Sequence, residues 1–324
     1  GYEEAWILLK RRSFDAILAD TAAPADLKQR LRLVQDARAY ARDSLGFAVG
    51  ETYTTYVDAG RDTLLLVLTA SRRDRLEQHV WRYPIVGTVP YKGFFNFGAA
   101  RSAAARLEES GLDTYLRPSG AFSTLGWFSD PLLSTIVGRD TMELVATVLH
   151  ELAHNTLYVP NYTPFNESFA NFAGYRAAEA FFRGRGDTLD ARRAARRWQD
   201  EVRLDVFYAE LARRLDSAYA GVQSPAHLEE IRRDVFGWAR RQLSGPTGHS
   251  LETYDWRWFA TRPLNNAVVI AGRIYRTNLD LFDRLYVHHH ADIRETLASI
   301  QLRIATLRGE DPFRALYSST LVPP

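Results

Sequence analysis

The residues with the clearest chemical potential lie in one stretch, His150-Glu-Leu-Ala-His154. Imidazoles four residues apart fall on one face of a helix and can point at one ion. Glu151 stands beside that face, where its carboxylate can take a proton from a metal-bound water. A catalytic zinc site wants three protein ligands and one open position, and two His with one Glu is a standard set. Glu167, inside Asn166-Glu-Ser-Phe-Ala170, is the candidate third ligand. Asn171, one turn beyond it, could orient a ligand imidazole through a hydrogen bond. The expected cofactor is one Zn²⁺ per chain on His150, His154 and Glu167.

These residues need two helices and a turn. Before the motif, Leu144, Val145, Val148, Leu149 and Leu152 form an apolar stripe at helical spacing. Pro160 must end that helix, and Pro164 suits the first turn of the next. A helix–loop–helix of this kind can fold Glu167 back against the two histidines. The plainer alternative is a buried helix with incidental histidines and a solvated carboxylate at the start of the next.

The paired segments, His-Glu-Leu-Ala-His followed by Asn-Glu-Ser-Phe-Ala, resemble the signatures of the Glu-ligand zinc peptidases, the gluzincins. More closely, the chain resembles a bacterial family of zinc aminopeptidases described as lipoproteins. The resemblance covers most of residues 1–182, including Tyr83-Pro-Ile-Val-Gly-Thr-Val-Pro-Tyr-Lys-Gly-Phe-Phe95 and Ala121-Phe-Ser-Thr-Leu-Gly-Trp-Phe-Ser-Asp-Pro-Leu132, and returns at Pro263-Leu-Asn-Asn-Ala267. It implies a zincin-like fold and a peptide substrate. It also implies export to the periplasm or a membrane surface, with a lipid anchor upstream of Gly1. An edge strand carrying Ser123, Thr124, Leu125 and Gly126 would pair with the substrate backbone, although an ordinary buried strand fits as well. A tyrosine from the C-terminal side would donate to the oxyanion; Tyr275 is the candidate, against Tyr158, Tyr162, Tyr254 and Tyr286. The loop between the two motifs is shorter than in most gluzincins. The Gly-x-Met-Glu-Asn signature of aminopeptidases is missing, and Asp130 is the nearest acid after the candidate strand.

Composition narrows the partners. A net charge of +2 over 324 residues argues against nucleic-acid binding. Cys is absent, which excludes disulfides, thiolate ligands and a Cys nucleophile. No apolar run is long enough to span a bilayer.

Periodicity and breakers predict an α+β protein. The expected order is helices over Glu3 to Asp20 and Ala25 to Leu45, then strands at Thr52 to Val57, Thr63 to Thr69 and Val80 to Val86 in a small antiparallel sheet. A structured loop over Tyr83 to Phe95, a helix from Asn96 to Ser110 and strands at Thr114 to Leu116 and Phe122 to Trp127 follow. Lys92 in the loop could meet a substrate carboxylate or simply be a surface lysine. From Asn166 onward the pattern is mostly helical, with a loop at Ser244 to Ser250 and one helical stretch from Leu264 to Tyr286. Asn265 and Asn266 read either as cleft-facing groups or as a helix cap. His288-His-His290 reads as a solvated turn rather than a second metal site. The whole is expected to be one metallopeptidase unit, with an α+β lobe over residues 1–182 and a helical lobe over 183–324. Three functions compete: a zinc peptidase, a non-catalytic zinc-stabilised envelope binding protein, and a zinc hydrolase of a non-peptide amide.

Overall fold

The computed structural model describes residues 9–83, 87–119 and 130–317. It is α+β, dominated by helix, with three small sheets. The chain divides into two compact units, each assembled from segments distant in sequence. The first comprises residues 1–60, 123–199 and 277–324, and the second 61–122 and 200–276. The boundary expected near residue 182 is therefore not where the chain divides. The helix Thr188–Tyr219 runs unbroken and contributes residues to both units.

In the first unit Arg12–Ser13 pairs antiparallel with Thr55–Val57, which pairs parallel with Leu132–Leu133. This sheet is thus mixed, not purely antiparallel. The helix expected over Glu3 to Asp20 is, among its described residues, interrupted by the Arg12–Ser13 strand. Helix resumes at Phe14–Ala19 because the Ser13 hydroxyl accepts from Ala16 N and caps a fresh start. The remainder is helical and packs around aromatic rings. Phe172 stacks on Phe282 at 5.4 Å and meets the edge of Trp198 at 5.4 Å, while Phe165 meets Phe313 at 5.3 Å. Buried aromatic pairs of this geometry add to the stabilisation from area burial alone.

The second unit is built on a three-stranded antiparallel sheet. Leu65–Arg72 lies between Lys92–Phe94 and Leu112–Ser119. Alternation along Leu112–Ser119 sends neighbouring residues to opposite faces. Thr114 Oγ1 bonds Glu108 of the helix Phe97–Glu109 on one face. Asp113 accepts Asn266 N at 2.9 Å on the other, where the helix Asn266–Ile274 begins. The sheet is thus covered by one helix on each side. Both carboxylate oxygens of Asp113 also accept from Nη2 of Arg232, at 2.9 and 2.8 Å. A second apolar core, with Leu204, Phe207, Leu211, Leu215 and Phe236, fills the helical part of this unit.

Several segments depart from their sequence patterns. Tyr83 to Phe95 is strand-rich: Trp81–Tyr83 pairs with Gly87–Val89, and Lys92–Phe94 joins the main sheet. Lys92 sits on that sheet edge with its ammonium 5.2 Å from the Phe94 ring centre. Ser244 to Ser250 contains a short helix, Pro246–Ser250, opened by the proline. Leu264 to Tyr286 is two helices, Asn266–Ile274 and Leu279–His288. The break follows from Thr277 N donating to Ser168 Oγ and from the left-handed backbone of Asn278, φ 54°. Asn265 proves to be the cap, its side chain accepting from Val268 N, and Asn266 is buried against Asp113 and Tyr219.

Candidate metal centre

The motif helix is Thr141–Thr156. Asp140 caps it, its carboxylate accepting from Glu143 N at 3.1 Å. Leu144, Val145, Val148, Leu149 and Leu152 are all fully buried, so the stripe read from the sequence is its core face. The helix ends when Leu157 turns extended, three residues ahead of Pro160. A second helix, Thr163–Gly184, starts with Pro164 in its first turn and is buried on nearly every side.

Asn166 fixes the turn between them. Its side chain accepts from Val159 N and donates to Val159 O, both at 2.8 Å, and the residue is 2% exposed. Asn166 therefore closes the loop immediately beside Glu167. Asn166→Ala is expected to cost about 1–3 kcal/mol, since it strands a buried N–H. Denaturant unfolding of the full chain measures this, and an unchanged midpoint would remove Asn166 from this role.

Two turns beyond Glu167, Gly174 allows the two helices to touch. A Cβ built there would lie 2.8 Å from Ala146 O and 3.1 Å from His150 Cβ. Only glycine fits at that separation without moving the backbone. The helices are thus in close contact at Gly174, beside Ala146 and His150.

The result is a triangle of ligand-type atoms. His150 Nε2 and His154 Nε2 are 3.2 Å apart, and Glu167 Oε2 is 3.4 Å from the first and 3.7 Å from the second. Zinc–ligand bonds of about 2.0–2.1 Å in a tetrahedron imply edges of roughly 3.3–3.4 Å. The observed edges bracket that value. Among the described residues this is the one group of three or more His, Cys, Asp and Glu side chains suited to a metal ion. His288 and His290 are exposed on the turn, where His290 and Ala291 have left-handed backbones.

Electrostatics suit the same role. Burial alone would raise the Glu167 carboxyl, but hydrogen bonds and charge from His150 and His154 hold it well below the usual carboxylate range. It is therefore an anion. Burial alone would lower His154, but Glu167, helped by Glu151, leaves it above the ordinary imidazole value. A proton at His154 thus competes with a metal ion. Because that proton is held to higher pH than on free imidazole, metal affinity should fall as pH drops, starting above the ordinary imidazole range. Competition titrations against a chromogenic chelator measure the slope; a flat profile would contradict it.

Glu151 is half-buried on the motif helix, next to His150. The segment before Thr55 is tied to the end of this helix: Ala48 N donates to Thr156 Oγ1 at 3.0 Å and Asn155 Nδ2 to Thr52 Oγ1 at 2.9 Å. It delivers Tyr53, 3% exposed, with a left-handed backbone of φ 59°. Such a conformation in a bulky residue costs about 1–2 kcal/mol. Burial first, then the carboxylates of Glu151 and Asp130, push its phenol well above the ordinary value, so it stays protonated. Sequence reasoning passed over Tyr53, Asn166 and Gly174. Asn166 alone carried a local signal, a polar residue beside the candidate ligand just after a proline-flanked loop.

Of the other expected site residues, Asn171 lies one turn past Glu167, half-buried and engaged by other groups of the protein. Ser123, Thr124, Leu125 and Gly126 lie outside the described residues. Tyr275 belongs to the second unit, where it ends the helix Asn266–Ile274 and its hydroxyl accepts from Arg117 at 2.9 Å. Among the described residues no helix is long and apolar enough to cross a membrane.

The architecture and site define a chain that could hold one divalent ion on a His₂Glu set, with the Glu151 carboxylate on the same helix as the two histidines. Residues 1–311 match the model of a family described as "Putative aminopeptidase", and the chain belongs to that family. No curated protein and no solved structure matches it.

Proposed function

We propose that this chain is a zinc-dependent, zincin-like peptidase, and within its family an aminopeptidase. The observation that carries the proposal is the His150–His154–Glu167 triangle, edged at 3.2–3.7 Å, with Glu151 adjacent to its first corner. The donor set fits Zn²⁺ in both chemistry and spacing: two neutral imidazole nitrogens and one carboxylate, leaving a fourth position for substrate or water. Bound there, zinc would supply Lewis acidity towards a carbonyl and bring the pKa of a water to about 7.

The chain's own residues carry the proton chemistry. Glu151 accepts the proton of the attacking water and returns it to the leaving amine. Asn171 is assigned the orientation of a ligand imidazole. Tyr275 remains the proposed oxyanion donor and residues 123–126 the proposed substrate strand. The family resemblance supports a peptide substrate, removal of N-terminal residues, and a periplasmic or lipid-anchored location. Peptide-library cleavage read by mass spectrometry, with and without chelator, tests the whole reading. Single residues released from free N-termini, only without chelator, are expected. Internal cuts alone would exclude the aminopeptidase assignment, and no chelator-sensitive cleavage would exclude the peptidase.

A further inference from the structure

The second unit contains a cation for which no ion-pair partner is found among the described residues. Arg117 lies on Leu112–Ser119, partly buried, opposite Val67 of the central strand. Among the described residues its hydrogen-bond partner is the hydroxyl of Tyr275, and its guanidinium lies 5.3 Å from that ring centre. Tyr115, two residues back, shares its face of the strand. Among the described residues no carboxylate pairs with it. The nearest acid on its strand face is Asp113, four residues away or roughly 13 Å, and Asp113 already holds Arg232 through two bonds. Other arginines drawn into this unit are neutralised: Arg232 by Asp113, and Arg276 by Glu201 at 2.7 Å.

Withdrawing a guanidinium from water without a counter-charge is costly, and the usual remedy is an anion. A phenol is a weak substitute, since a guanidinium presents five N–H donors in a planar fork matched to two carboxylate oxygens. We propose that Arg117, beside the Tyr275 ring, forms a binding site for a carboxylate ligand. The peptidase reading supplies the ligand class: peptides offer a carboxylate as an acidic side chain or as a C-terminus. The tyrosine surroundings suit either, presenting O–H donors and flat apolar walls.

The test is binding, not turnover, so it stands apart from whether the metal centre is catalytic. Isothermal titration of the full chain uses N-acetyl-glutamate α-amide, N-acetyl-alanine and N-acetyl-glutamine α-amide, each with and without chelator. At least one of the two carboxylate probes should bind, in chelator too, and the neutral glutamine probe should not. The probe that binds distinguishes side-chain from C-terminal recognition. Arg117→Gln should weaken that binding about tenfold or more, while Arg117→Lys, which keeps the charge but not the fork, should retain part of it. Circular dichroism melts confirm that each variant is folded. Binding that disappears with chelator would place the carboxylate on a metal ion instead. That result, equal affinity in wild type and Arg117→Gln, or binding of neither carboxylate probe would each overturn the proposal.

Discussion

Glu151→Gln is expected to lower peptide hydrolysis by about 10²–10⁴-fold, the usual contribution of general acid–base catalysis, at unchanged metal content. The separation follows from geometry. Glu151 is not one of the three residues whose nitrogen and oxygen atoms converge, so neutralising it leaves the triangle intact. Gln has the same length and a similar helix propensity, so the motif helix should persist. A protein that used metal only to stabilise a binding surface would behave differently: wild type would hydrolyse nothing, and the substitution would change only local packing. Turnover of one peptide by metal-loaded wild type and variant, measured side by side with metal analysis, decides between them. Equal, chelator-sensitive rates would remove Glu151 from the mechanism even with the ligands correctly assigned.

Loss of the metal itself is the second large effect. His150→Ala, His154→Ala and Glu167→Ala should each abolish stoichiometric zinc, because each removes one of only three protein donors. Glu167→Ala is the most informative. It deletes the carboxylate that His150 and His154 hold as an anion, and leaves two partly buried imidazoles facing each other at 3.2 Å. Asn171→Ala should be milder, weakening affinity by about tenfold or more through loss of orientation rather than of a donor. Elemental analysis of the purified variants measures all four. Full zinc in Glu167→Ala would mean that another group supplies the third bond.

The local elements of the site were legible because they rest on short-range rules. A four-residue spacing, an apolar stripe and two prolines are properties of contiguous sequence, and together they located both helices and all three converging side chains. What lay hidden depends on contacts distant in the chain. Tyr53 meets the motif helix across about a hundred residues, through Ala48 and Thr52, and no local pattern announces that. The helix expected from Leu264 to Tyr286 has unbroken periodicity; it divides because Ser168, more than a hundred residues earlier, takes the Thr277 N–H. The strands within Tyr83 to Phe95 were masked by prolines and glycines, which sheet edges tolerate. The division into two interleaved units was equally illegible, because composition changes little where the chain passes from one to the other.

Gly174 carries a consequence for ion choice. The separation of the two helices at their crossing is set by a missing methyl group, with Ala146 O where that methyl would project. Any side chain there would wedge the helices apart and widen the jaw formed by Glu167 and the two histidines. A jaw edged at 3.2–3.7 Å suits a small tetrahedral ion; a wider one suits ions whose oxygen bonds run to 2.3–2.6 Å, such as Ca²⁺. The calibre of the site is thus written two helical turns away from the nearest of the proposed ligands in sequence, in a residue that would donate nothing to an ion.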